Sequence, residues 1–204
     1  SLSGDLDVFG ARVSTNGMAI DPQGVGLATG VGDQSFPNVI GFGSEYLLAW
    51  EEGRFPSPRP ISAMRFSDPT TPSISRTTLT SNSFGDPTLA FNGTNALLVW
   101  ESLASVDGTT LNFDGGVGNV GGRPIALGPS HEQQARAAFG ADRFGVAWLD
   151  DRLVDGGAPS HLGVYFTRLD AAGNRLDVNP TLIAEHSATT GLDIAFDGQQ
   201  FVLK

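Results

Sequence analysis

Apolar residues along this chain come in short runs that end in tryptophan: Tyr46 to Trp50, Ala96 to Trp100 and Phe144 to Trp148. A polar turn precedes each run, and before the turn a short strand ends in a small residue and a phenylalanine. The full phrases are PNVIGFGSEYLLAW (Pro37 to Trp50), PTLAFNGTNALLVW (Pro87 to Trp100) and ARAAFGADRFGVAW (Ala135 to Trp148), and GLDIAFDGQQFVLK (Gly191 to Lys204) repeats the opening. Phe42, Phe91, Phe139 and Phe196 are 49, 48 and 57 residues apart, and the tryptophans 50 and 48 apart, a repeat period near 50. Each phrase predicts a β-hairpin. Asn92-Gly93 and Asp197-Gly198 supply the positive φ that tight turns need. The second strand of each hairpin lacks the polar alternation of a strand with one wet face, so it is expected to be buried on both faces.

The intervening segments complete the unit. Val8 to Val13, turning at STNG into MAID, returns as GVYFTRL, DAAG and NRLD (Gly163 to Asp177), which aligns Arg12 with Arg168 and Asp21 with Asp177. ISAMRF (Ile61 to Phe66) and ISRTTLT (Ile74 to Thr80) predict third and fourth strands, with Arg65 in the place of Arg12. In the next unit Thr110 to Phe113 is the third strand, with Asn112 where the others carry arginine, Gly115 to Gly122 a flexible loop and Pro124 to Gly128 the outer strand. Thr181 to Ser187 is the outer strand of the unit after it. The repeat phases are 1–36 (the second half of a blade), 37–86, 87–134, 135–190 and 191–204 (the first half of a blade), in a single domain.

Four short strands per unit, at this period, predict an all-β chain folded as a β-propeller of four-stranded blades. If the terminal halves pair, they form one composite blade and close a four-bladed ring without edges. The alternative is a fragment of a larger propeller, with a second chain as one way to complete the terminal blade. Lys204 stands one place before the position of the next tryptophan.

Composition narrows the partners. A formal charge of −10 argues against a nucleic-acid backbone or an anionic membrane. No apolar run approaches the roughly 18 residues of a membrane span. Zero cysteines remove disulfide and thiolate chemistry without speaking against export.

The pattern FxGxxxxLxVW followed by an acid, then VxGARVSxxGxxLD, stands here as FNGTNALLVWE (Phe91 to Glu101), VFGARVSTNGMAID (Val8 to Asp21) and VYFTRLDAAGNRLD (Val164 to Asp177). It resembles the repeats of about 50 residues in secreted and surface proteins of myxobacteria and other bacteria, usually read as propeller blades. The resemblance covers essentially the whole chain. It implies a secreted or cell-surface module and names no ligand.

Acids follow each tryptophan. Glu51, Glu101, Asp150 and Asp151 are candidates for calcium, a hard ion that prefers oxygen ligands; the simpler reading has them accept hydrogen bonds from turn amides and from Arg54 or Arg152. The irregular second unit offers Asp107, Asn112, Asp114 and Asn119 as ligand-binding candidates. Trp50, Trp100, Trp148, Phe42, Phe91, Phe139 and Phe196 read as structural, and Arg12, Arg65 and Arg168 as partners of repeat carboxylates rather than a ligand-facing ring. His131, His161 and His186 fall at different repeat phases without zinc-ligand spacing, and neither a GxSxG elbow nor a phosphate loop occurs. The carboxylate pairs that hydrolyse glycosides are defined by distances in space, on which sequence spacing is silent.

With no catalytic residue evident, the expected function is a non-catalytic extracellular binding or adhesion module that recognises a glycan or protein through propeller loops, not an enzyme. The alternatives are part of a secreted hydrolase with a carboxylate site at the propeller mouth, or a structural repeat segment.

Overall fold

A computed structural model describes residues 4–54, 58–70, 76–103, 105–112, 116–127, 132–151, 162–186 and 191–204. The strands are β1 (Val8–Gly10), β2 (Val25–Ala28), β3 (Gln34–Phe42), β4 (Glu45–Glu52), β5 (Arg59–Phe66), β6 (Arg76–Ser83), β7 (Thr88–Phe91) and β8 (Asn95–Ser102), followed by β9 (Ser105–Asn112), β10 (Arg123–Leu127), β11 (Glu132–Gly140), β12 (Arg143–Asp150), β13 (Leu162–Leu169), β14 (Thr181–His186), β15 (Ile194–Phe196) and β16 (Phe201–Leu203). They form three four-stranded antiparallel meanders, β3 to β6, β7 to β10 and β11 to β14, flanked by the two-stranded sheets β1–β2 and β15–β16. The fold is all-β and propeller-like. Among the described residues no helix is long and apolar enough to cross a membrane, which says nothing of a β-barrel.

The second strands explain the stacking. In β4, Leu47 and Ala49 pack toward the β7–β10 sheet while Leu48 and Trp50 pack toward β1–β2. In β8, Leu97 and Val99 face the β11–β14 sheet, whereas Ala96, Leu98 and Trp100 face back. In β12, Trp148 again looks back and Ala147 and Leu149 look forward to Leu192 and Ile194. A period of two thus sends alternate apolar residues into two different interfaces, and the sheets stack in chain order. All three tryptophans are almost fully buried.

Inner strands β3, β7, β11 and β15 neighbour one another in turn. Two polar bonds tie them: Asn38 Oδ1 accepts the Leu89 amide at 3.1 Å, and Thr88 Oγ1 donates to the Ala135 carbonyl at 3.1 Å. Gly140 lets β15 approach, because a Cβ there would overlap the Phe196 ring.

Three expectations need correction. The terminal halves do not share a sheet: β1–β2 and β15–β16 are separate, and five sheets are seen. β1 is bonded to β2 and β16 to β15, so each terminal pair uses its short strands within its own sheet. The segment 116–122 is not loose: Val117 bridges Leu111, the Gly121 amide donates to the Leu79 carbonyl at 2.8 Å, and Gly122 lies against the Trp100 ring. Finally, Thr110 rather than Asn112 takes the place of the repeat arginine. Thr110 accepts from Gly118 as Arg12 does from Ile20 and Arg168 from Leu176, so Asn112 is a turn residue equivalent to Ser14 and Asp170.

Candidate active site

One rim of the stack carries the ends of the second strands and the starts of the inner ones. On this rim the first pairs of two hairpins, Gln34 with Glu52 and Glu132 with Asp150, are equivalent. Just beyond them β3 and β11 bulge, and the bulge residues Phe36 (φ 51°) and Gln134 (φ 55°) lie in the left-handed region. The hairpin loops begin at Phe42, Asn92 and Gly140, and Phe36, Asp86 and Gln134 each lie six residues upstream. An aromatic ring, a carboxylate and an amide thus stand at one level along successive inner strands, Asp86 two residues before β7.

Charge converges around Asp86. Its Oδ2 is 3.6 Å from Arg136 Nη2, and its side chain is 46% exposed. Arg136 is held in turn by an Nη1 bond of 2.9 Å to the Ala135 carbonyl. Behind Asp86 lies Glu51, fully buried, accepting from Ser83 Oγ at 2.8 Å and ion-paired with the buried Arg59, whose Nη2 is 2.6 Å from Oε2. Burial raises the Glu51 pKa above the ordinary carboxylate value; Ser83 and Arg59 oppose the shift and the nearby Asp86 adds to it. The Arg59 guanidinium sits 5.1 Å from the centroid of the Phe36 ring. On the other side Glu101 accepts the Gln134 amide and lies against Gly85, where a Cβ would overlap its carboxylate. Glu51 and Glu101 therefore flank, from adjacent sheets, the short connection that presents Asp86.

Among the proposed calcium ligands, the structure brings Glu51 and Glu101 to this connection but not the other two. Asp150 accepts from Trp148 Nε1 at 3.2 Å and faces Glu132 across the strand pair, and Asp151 follows it half-buried. Glu52 is the counterpart of Asp150, accepting from Trp50 Nε1 at 3.1 Å. Arg54 turns to Asp5 and Asp33 instead of a post-tryptophan acid. No group of three or more metal-ligating side chains forms among the described residues. The ligand set also separates. Asp107 stands near the start of β9, where Ser105 Oγ donates to it at 2.9 Å, and Asn112 at its far end. The Asn119 amide donates to Thr109 Oγ1 at 2.9 Å. Asp114, His131, His161 and Arg152 lie outside the described residues.

Of the aromatics, Phe91, Phe139 and Phe196 pair across their hairpins with Ala96, Phe144 and Phe201, whereas Phe42 is one residue nearer the loop, opposite Glu45. Phe42 therefore faces the other side of its sheet, where Arg65 covers it at 5.7 Å.

Sequence reasoning missed Asp86, Arg136, Arg59, Ser83 and Phe36. One signal was available: Phe36 and Asp86 both precede a proline, Pro37 and Pro87, at the same repeat phase.

The opposite rim holds the hairpin turns. A cavity of about 400 Å³ opens there among Asn92, Thr94, Asn95, Phe139, Asp142 and Ala172. Its central amide is already engaged: Asn92 Oδ1 accepts the amides of Thr94 and Asn95, and Nδ2 donates to the Ala171 carbonyl. The chemistry of the carboxylate rim, rather than this cavity, makes the stronger candidate.

No family model matches the chain, and no characterised protein matches it by sequence. Its fold is similar to solved glycoside hydrolases. An alpha-L-arabinanase of Penicillium chrysogenum, solved with arabinobiose, superposes over 98% of this chain and 67% of its own, with a TM-score of 0.62 at 10% identity. An exo-1,5-alpha-L-arabinanase from a bovine ruminal metagenomic library covers 82% of this chain and 66% of its own (TM-score 0.51, 16% identity). The GH62 alpha-L-arabinofuranosidase catalytic domain of Coprinopsis cinerea covers 89% and 58% (0.51, 13%). The chain spans about two thirds or less of their lengths. These matches overturn the resemblance to myxobacterial-type surface repeats, and with it the expectation of a non-catalytic adhesion or binding module and of a chain that is not an enzyme.

Proposed function

We propose that the chain is part of a secreted glycoside hydrolase that acts on a glycan at the carboxylate rim. The observation that carries this reading is Asp86, a partly exposed carboxylate at the start of an inner strand, with Arg136 beside it and the carboxylates of Glu51 and Glu101 flanking its connection. Glycoside hydrolysis uses two carboxyl groups, one giving a proton to the leaving oxygen and the other attacking the sugar carbon or activating water. On this reading Asp86 and Glu101 take these tasks, and the buried Glu51, through Arg59 and Ser83, has a positioning role. Similarity of fold to arabinanases makes an arabinose polymer the first substrate to try.

The two-stranded sheets are read here as halves of blades in a larger ring. Each holds half the strands of its neighbours, and the similar hydrolases are longer. Further strands, from the same polypeptide or a second one, would complete them.

The test is sugar release from arabinan and arabino-oligosaccharides by the full chain. Asp86→Asn is expected to lower the rate by about 10²- to 10⁴-fold, the range for a lost acid–base group, with its melting temperature unchanged. Equal rates would remove Asp86 from the chemistry.

A further inference from the structure

Phe36 occupies a conformation that folding alone does not favour. A left-handed φ of 51° brings a Cβ close to the following carbonyl oxygen, and the following Pro37 restricts this residue further. In return the bulge leaves Phe36, a large apolar residue, 46% exposed. In β11, Gln134 has the same backbone and uses it to give its amide to Glu101. Phe36 draws its support through the ring. The Arg59 guanidinium stacks on it, and the buried Glu51 fixes Arg59. The result is a supported aromatic surface at the level of Asp86 and Gln134, joined to the Asp86 cluster through Arg59 and Glu51. Strained residues that persist in this way collect at ligand clamps and active sites.

We infer that Phe36 is a saccharide-stacking platform, which binds the apolar C–H face of a sugar unit next to the one held at Asp86. This rests on the reading of the rim as a glycoside-hydrolysing site and adds to it the residue that sets substrate length. Aromatic rings suit such a role because they give a large contact area and lose little conformational freedom.

The test measures arabino-oligosaccharide binding by calorimetry, using the full chain with Asp86→Asn to prevent turnover, and KM and kcat in the Asp86 background. Phe36→Leu, which keeps apolar bulk without a ring, is expected to weaken binding and raise KM by roughly tenfold, more for longer oligomers than for arabinobiose, with kcat little changed. Phe36→Tyr is expected to bind like the parent. Phe36→Leu with unchanged binding and KM in an active protein overturns the platform alone. Binding that depends on Phe36 without any hydrolysis overturns the catalytic reading alone. Neither binding nor hydrolysis overturns both.

Discussion

The two rims of this stack use charge in opposite ways. On the hairpin rim, the forked ion pairs lie within one repeat and near solvent: Arg12 forks onto Asp21 at 2.8 Å through both Nε and Nη2, with a longer contact from Nη1 to Asp68 of the next repeat at 3.6 Å, and Arg168 grips Asp177 the same way. Their backbone amides bind the same carboxylates, at 3.0 and 2.8 Å, so each pair clips a third strand to the loop after it. On the carboxylate rim the acids are buried or half-buried, and Glu51, Asp86 and Glu101 find partners on other strands or other sheets. Local pairs repeat because they serve the repeat. Two contacts that join neighbouring sheets, Asp86 with Arg136 and Glu101 with the Gln134 amide, do not repeat, and they gather around Asp86.

Substitutions test this contrast. Glu51→Ala leaves the buried Arg59 without its counter-charge, and a loss of about 3–5 kcal/mol is expected, as for other broken buried pairs. At this chain length that shifts the melting temperature by roughly 2–4 °C per kcal/mol. A change below one degree would show that Glu51 does not hold the rim together. On the hairpin rim, Gly93 (φ 93°) has open space around it, so Gly93→Val tests backbone conformation without a clash. It should cost about 1–2 kcal/mol, and an unchanged melt would place the turn elsewhere. Asp177→Asn should cost least, at most about 1 kcal/mol for an exposed pair.

The rims also predict opposite pH slopes. Arg12 holds Asp21 at about 2, below its ordinary value of 3.8. Its contribution is therefore present above pH 4 and is lost as pH falls toward 2, and Asp21→Asn should flatten that acid limb. Burial raises Glu51, whose contribution is present below its ordinary 4.5 and is lost as pH rises through its folded value; Glu51→Gln should remove that loss. Melting temperature against pH for the two variants separates them, and slopes of the same sign would contradict the contrast.

Much of the fold was legible because hairpins are local. Asn92-Gly93, the apolar run to Trp100 and the Arg12–Asp21 spacing all act within one repeat, so their pattern survives in the sequence. Where a neighbouring strand sets the register, alignment by eye fails: Val117 and Gly118 fold back on Leu111 and Thr110 and put Thr110, not Asn112, in the arginine's place. The candidate site was hidden for the same reason. Glu51, Asp86, Glu101 and Arg136 come from three sheets, and only the stacking of those sheets brings them together. The acids after each tryptophan drew attention through repetition. Yet Glu52 and Asp150 cap indoles, and the acid most exposed at the cluster, Asp86, stands outside that series.

The most direct measurement is release of arabinose oligomers from arabinan by the full chain and by its Asp86→Asn form, with both melts recorded. The account predicts hydrolysis by the first, about a hundredfold or more lost in the second, and superimposable melts. No release by either protein, or equal release by both, would contradict it.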